Sequence, residues 1–265
     1  MTNCYRFTML LAAGLLAAVC LTPLAAAENF TRVEPSAAVQ VQPEVAPVES
    51  PAAAFGGTLR VFIVEPNSRW LDHNGQQFHY AFMDLALDSA VTINDGQRIV
   101  LSRTWLASSS GFSGYQQNNI KVIAVLFEDD AHTGYSDPPS GYPFTAYYVA
   151  ATAAAVPGTC DSNNTSANST HSGFIEEASA NYCPYCPTTN YYVNYIFNGG
   201  NYNFHYITHV RDRNSKSYAV LARYNVAAIP CCYFDGGHRV VFVGYSGTSA
   251  YPSHLLDSCQ RVWEG

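Results

Sequence analysis

The sequence predicts a two-domain protein: an all-β, Ig-like sandwich over residues 57–152, then an α/β domain over residues 173–265. Three observations lead there. The first half carries short β-branched and aromatic runs separated by Gly, Pro and Asp, at the spacing of sandwich strands. The second half alternates strand-like and helix-like patterns. Every cysteine beyond residue 27 falls after residue 159.

Residues 1–27 are expected to be a signal peptide. Arg6 is the only charge there, residues 9–24 are apolar, and Ala25-Ala26-Ala27 offers a small-residue cleavage site before Glu28. The apolar stretch is short for a span and Pro23 interrupts its end. No later segment reaches 18 consecutive apolar residues, so no membrane span is expected in the mature chain. The expected location is periplasmic or extracellular. The net charge is −7, and losing Arg6 makes it −8. So acidic a chain argues against nucleic acid as a partner. No cofactor or metal is expected.

Residues 28–56 are rich in Ala, Val, Pro and Glu without a period, and read as a disordered linker. In residues 57–152, strands are predicted at 59–64 (stopped by Pro66-Asn67), 78–87, 120–127 and 144–149. Two short runs flanking Asp95-Gly96 complete the set. Residues 153–172 are small and polar, contain N-glycosylation sequons, and read as a second linker. In residues 173–265 a strand runs from Phe174 towards Cys183. A helix is predicted at 187–197, a strand at 204–210 and a short helix at 216–224. Strands at 226–234 and 239–243 flank Asp235-Gly236-Gly237, and a closing helix is predicted at 254–263.

The chemistry lies in Cys183-Pro184-Tyr185-Cys186. Two sulfurs at this spacing can bridge, and a helix starting beneath them favours thiolate through its unpaired N–H groups and dipole. The first Cys attacks, and the second, one turn in, resolves the mixed disulfide. An inert structural disulfide remains open. A zinc site needs four ligands, usually two such pairs, and only one pair is present.

With these residues in view, the segment resembles the thioredoxin/glutaredoxin superfamily. Cys-Pro-Tyr-Cys matches the usual glutaredoxin tetrapeptide, and Ile229-Pro230 lies 47 residues after Cys183, where the family places its cis-proline. The resemblance implies a thioredoxin-like fold for residues 173–265, Cys183 as nucleophile and Cys186 as resolving thiol. It implies Pro230 packed on the disulfide and the Ile229 backbone aligning substrate, with Tyr182, Pro184 and Tyr185 beside them. It also implies a buried acid six residues before the first Cys, here Glu177, favoured over Glu176 on the opposite strand face. Tyr182 stands where the family commonly has Trp, and Cys231 where it has Thr. No glutathione-binding signature is visible.

Cys160, Cys231, Cys232 and Cys259 are structural disulfide candidates. Adjacent strand residues face opposite ways, so one of Cys231 and Cys232 is expected to pair with Cys259 and the other with Cys160. The expected function is an exported thiol–disulfide oxidoreductase. Its partners would be protein thiols and disulfides, with an unidentified electron donor or acceptor. The alternative is a non-catalytic extracellular binding or surface-assembly protein in which Cys183–Cys186 staples a helix.

Overall fold

A computed structural model of the chain describes residues 4–12, 15–24, 40–41, 54–95, 97–161, 172–200, 202–238 and 240–244. The strands, in order, are β1 (Cys4–Ala12), β2 (Leu15–Leu24), β3 (Gln40–Val41), β4 (Phe55–Leu71), β5 (Gln77–Ile93), β6 (Arg98–Leu106), β7 (Lys121–Asp137), β8 (Gly141–Ala155) and β9 (Thr159–Asp161). Then come β10 (Gly173–Ser179), helix α1 (Cys186–Gly199), β11 (Phe204–Val210), helix α2 (Ser215–Leu221), β12 (Cys231–Phe234) and β13 (Val240–Val243).

One sheet runs through both halves of the chain in the order β13-β12-β10-β11-β5-β4-β7-β8, and a second is ordered β3-β6-β1-β2-β9. Strand parity explains how they pack. Leu59, Val61 and Ile63 of β4 and Val122, Ala124 and Leu126 of β7 meet Phe7, Met9, Val19 and Leu21 of the second sheet in one core. The intervening residues Phe62, Val64, Ile123 and Val125 face the other way and pack with Phe82, Phe174 and Ile207. Residues 122–127 read as a continuous apolar run because this part of β7 is buried on both faces.

This architecture overturns the fold class predicted above. The chain is mostly β, with two α-helices among the described residues. The strands of residues 173–243 do not close an α/β domain of their own: β11 pairs in parallel with β5 at Thr208↔Ala81. The thioredoxin-like assignment of residues 173–265 is therefore withdrawn, and with it the two-domain arrangement. Nor is there a separate Ig-like sandwich, because β4, β5, β7 and β8 belong to the large sheet while β6 pairs with β1. The physical reason is the shared core. Phe62 and Val64 of the first half need Phe174 and Ile207 of the second to leave water.

Several local boundaries differ too. Strand β4 passes through Pro66 because the β4–β7 pairing already ends at Val64↔Lys121. A proline on a free edge costs no ladder bond. Strand β8 continues to Ala155 because Ala151, Ala153 and Ala155 face the core between the sheets. Residues 4–12 and 15–24, within the segment expected to leave as a leader, pair as antiparallel strands β1 and β2. The helix expected at 254–263, together with Cys259, lies outside the described residues.

Candidate functional site at the start of helix α1

Strand β10 delivers the chain to the dithiol. After Ser179 the backbone turns, with the Cys183 N–H donating to the Ala180 carbonyl at 3.2 Å, and α1 begins at Cys186 with Pro187 in its first turn. A proline there gives up an N–H that has no partner in the helix anyway. Gly200, at φ 67°, ends the helix in the left-handed region. Cys186, Thr189, Asn190, Val193 and Ile196 form its buried stripe.

Cys183 and Cys186 form a disulfide. The Cys186 N–H donates to Cys183 Sγ at 3.1 Å, so the first free amide of the helix points at the sulfur that would carry charge. Cys186 is fully buried and Cys183 is 3% exposed. Around them Tyr182, Pro184 and Tyr185 are exposed, and Tyr182 Oη accepts from Arg211 at 3.3 Å. The Ile229–Pro230 peptide is cis. Ile229 packs against Ala180, Cys183 and Cys186, and its carbonyl oxygen lies 3.8 Å from Cys183 Sγ. Pro230 is buried beside it.

Strand β10, which leads to the dithiol, carries two buried carboxyls facing opposite ways. Glu177 shares the α1 face with Ile175, and its cross-strand partner is Cys232. Its Oε2 accepts from Thr208 Oγ1 at 3.1 Å, while Oε1 has no hydrogen-bond partner. Burial pushes its pKa up to about 8, the bond from Thr208 offsetting part of the effect. Glu176 faces the α2 side, where it meets Arg223, Tyr224 Oη and His209 Nε2, the last at 3.0 Å. Burial raises it as well, but the Arg223 charge and the bonds from His209 and Tyr224 prevail and hold it at about 2. Near neutral pH the two neighbours thus differ in state: Glu177 carries a proton and Glu176 does not.

The remaining cysteines separate. Cys160 pairs with Cys20, its direct partner across β2 and β9. That corrects the pairing expected between Cys160 and the Cys231–Cys232 dipeptide, for adjacency in the ladder decides the bond. Cys231 and Cys232 do face opposite sides. Cys232 packs with Ile175 and Phe234 under α1, and Cys231 packs with Phe144, Tyr224 and Tyr233. Cys231 keeps a free thiol, which burial pushes up to about 12. The expected bond to Cys259 falls outside the described residues.

The sequence reading missed Arg223 and Thr208. A carboxyl on a fully buried strand needs a cation or a proton, and Arg223, just before Tyr224, was the signal for the first. No group of three or more His, Cys, Asp or Glu side chains that could hold a metal occurs among the described residues. No family model, curated protein or solved structure matches the chain. The roles suggested by resemblance therefore rest on this geometry alone.

Proposed function

We propose that the protein is an exported thiol–disulfide oxidoreductase that exchanges disulfides with protein cysteines through Cys183 and Cys186. The observation that carries the reading is the amide of Cys186, the first helical residue, donating to Cys183 Sγ. It favours thiolate on the outer sulfur while the inner one stays buried. In the reducing direction, Cys183 thiolate attacks a substrate disulfide. A mixed disulfide forms and one substrate sulfur leaves as thiolate. Cys186, having lost its proton, then attacks Cys183 Sγ; the second substrate thiolate leaves, and the protein holds the Cys183–Cys186 bond. Two electrons have passed to the substrate. The reverse sequence oxidises a substrate dithiol, and the redox partner sets the direction. Glu177, protonated and on the α1 face of the sheet, is the group we assign to exchange a proton with Cys186. Ile229 and Pro230 hold the other flank of the sulfur pair.

An oxidising compartment suits the two disulfides found among the described residues. The first test is reduction of insulin disulfides by the purified protein with dithiothreitol. Wild type should accelerate precipitation and Cys183→Ser should not. Equal rates would favour the alternative, a binding protein in which the bond only staples α1.

A further inference from the structure

An open cleft of about 620 Å³ lies between the β4–β5 turn and the first two turns of α1, its lining starting at Pro187, the residue after Cys186. Its walls are locked together. Asn190 Oδ1 accepts the His79 N–H at 3.2 Å, and Asn190 Nδ2 donates to the Gln77 carbonyl at 3.3 Å. The turn itself is closed by Asp72 Oδ1, which accepts from the N–H groups of Asn74 and Gln76, each at 2.9 Å. A cleft with fixed walls binds without first having to order them.

The lining tells which chemistry fits. It includes no Lys or Arg, which disfavours phosphate and other anions. Asp72 is buried and already committed to its turn. Burial pushes the His79 pKa below its usual value, so its ring is neutral at pH 7. What remains is amide and aromatic: Gln76, Asn74 and Tyr191, the last 60% exposed and stacked on Tyr195 with ring centroids 6.1 Å apart. Side-chain amides pair with peptide N–H and C=O groups, and exposed tyrosine gives contact area at little entropic cost.

We infer that this cleft binds the uncharged, extended peptide segment next to the substrate's reacting cysteine. Position follows from the helix. The attacking Cys183 Sγ sits 3.1 Å from the Cys186 N at the helix start, and Tyr191 is five residues beyond Cys186, about 7–8 Å along the axis at 1.5 Å per residue. An extended peptide advances about 3.3 Å per residue. The cleft therefore reads the second and third residues from the attacked cysteine. The inference takes the identity of the peptide as substrate from the proposed thiol exchange; the cleft itself stands on its own geometry.

Two measurements test it. In the first, reduced protein is given a neutral decapeptide with one central cysteine, carried as its mixed disulfide with thionitrobenzoate. The control is the mercaptoethanol–thionitrobenzoate disulfide, which has no peptide. The ratio of kcat/KM for the two should fall about tenfold in Tyr191→Ala and in Gln76→Ala, both exposed positions whose loss leaves the core intact. An unchanged ratio with exchange persisting overturns the cleft and spares the proposed function. Failure of wild type to release thionitrobenzoate from either disulfide sinks the function and leaves the cleft to the second measurement. There, the oxidised protein is titrated against the fluorescein-labelled Cys→Ser decapeptide by anisotropy. Saturable binding that weakens about tenfold in both variants supports the inference. Absence of saturation overturns it, as does displacement by millimolar maltohexaose, which would reassign the cleft to saccharide.

Discussion

Glu177→Gln removes one titration from the interior while preserving shape. In the folded protein the carboxyl is pushed up to about 8 from an ordinary value of 4.5. Between those values the folded state holds a proton that the unfolded chain has released. Its contribution to stability is complete below pH 4.5 and is lost as pH rises through about 8. The slope is about 1.4 kcal/mol per pH unit, with a ceiling of about 5 kcal/mol over the window. Neighbouring groups act elsewhere. Glu176, held at about 2, stabilises above pH 4.5 and loses its effect only in acid. Burial pushes His79, His205 and His209 down, so their effect appears as pH falls through about 6.5. Cys231 is raised out of range. Keeping the Cys183–Cys186 bond oxidised removes those two sulfurs from the titration. Urea unfolding between pH 6.5 and 8 therefore isolates Glu177. Wild type should lose about 2 kcal/mol more than Glu177→Gln across that interval. Parallel stability profiles would refute the protonated, buried carboxyl and, with it, the proton exchange assigned to Cys186.

Brief alkylation of the reduced protein at neutral pH should label Cys183 well before Cys186, since Cys183 precedes the helix and its sulfur accepts the Cys186 N–H while Cys186 lies inside it; equal labelling would refute the order of attack. Arg223→Met leaves Glu176 buried without its cation and should cost about 3–5 kcal/mol at pH 7 by thermal or urea unfolding. The loss should shrink towards pH 4, where Glu176, now free to rise in pKa, takes up a proton; a loss independent of pH would count against the ion pair. Non-reducing peptide mapping of the full-length chain should recover a Cys20–Cys160 peptide. Cys160→Ser should lower stability by about 2–4 kcal/mol, and a Cys160 thiol in the unreduced full-length protein would refute the bond.

What the sequence disclosed was local. Helix α1 was legible because Pro187 opens it and the Gly199-Gly200 pair closes it, and β11 because Phe204–Val210 is bounded by polar residues. Strand parity placed Glu176 and Glu177 on opposite faces. It could not say which had a cation, because Arg223 lies 47 residues away. The linker boundary misled because a run of small apolar residues suits both a linker and a strand packed between sheets, and residues 151–155 carry no mark that separates the two. Within residues 173–243 the misreading lies at one strand edge. A β-α-β-α-β-β succession specifies which strands of residues 173–243 lie beside one another, but not what covers the outer edge of β11. That edge takes β5, whose pairing at Ala81 lies more than a hundred residues upstream.

The site does not depend on that edge. Its parts are a three-residue cysteine spacing, a helix start, a β10 carboxyl and the Ile229–Pro230 segment, all set by α1, β10 and the approach to β12. The β5 side adds something the local motif lacks. By pairing with β11 it brings the β4–β5 turn against α1, and Asn190 fastens the two. The long-range contact that cancels the expected fold is therefore also the one that builds the cleft along α1. Exchange chemistry should follow the short-range elements, and selection among substrates should follow the turn at residues 72–77.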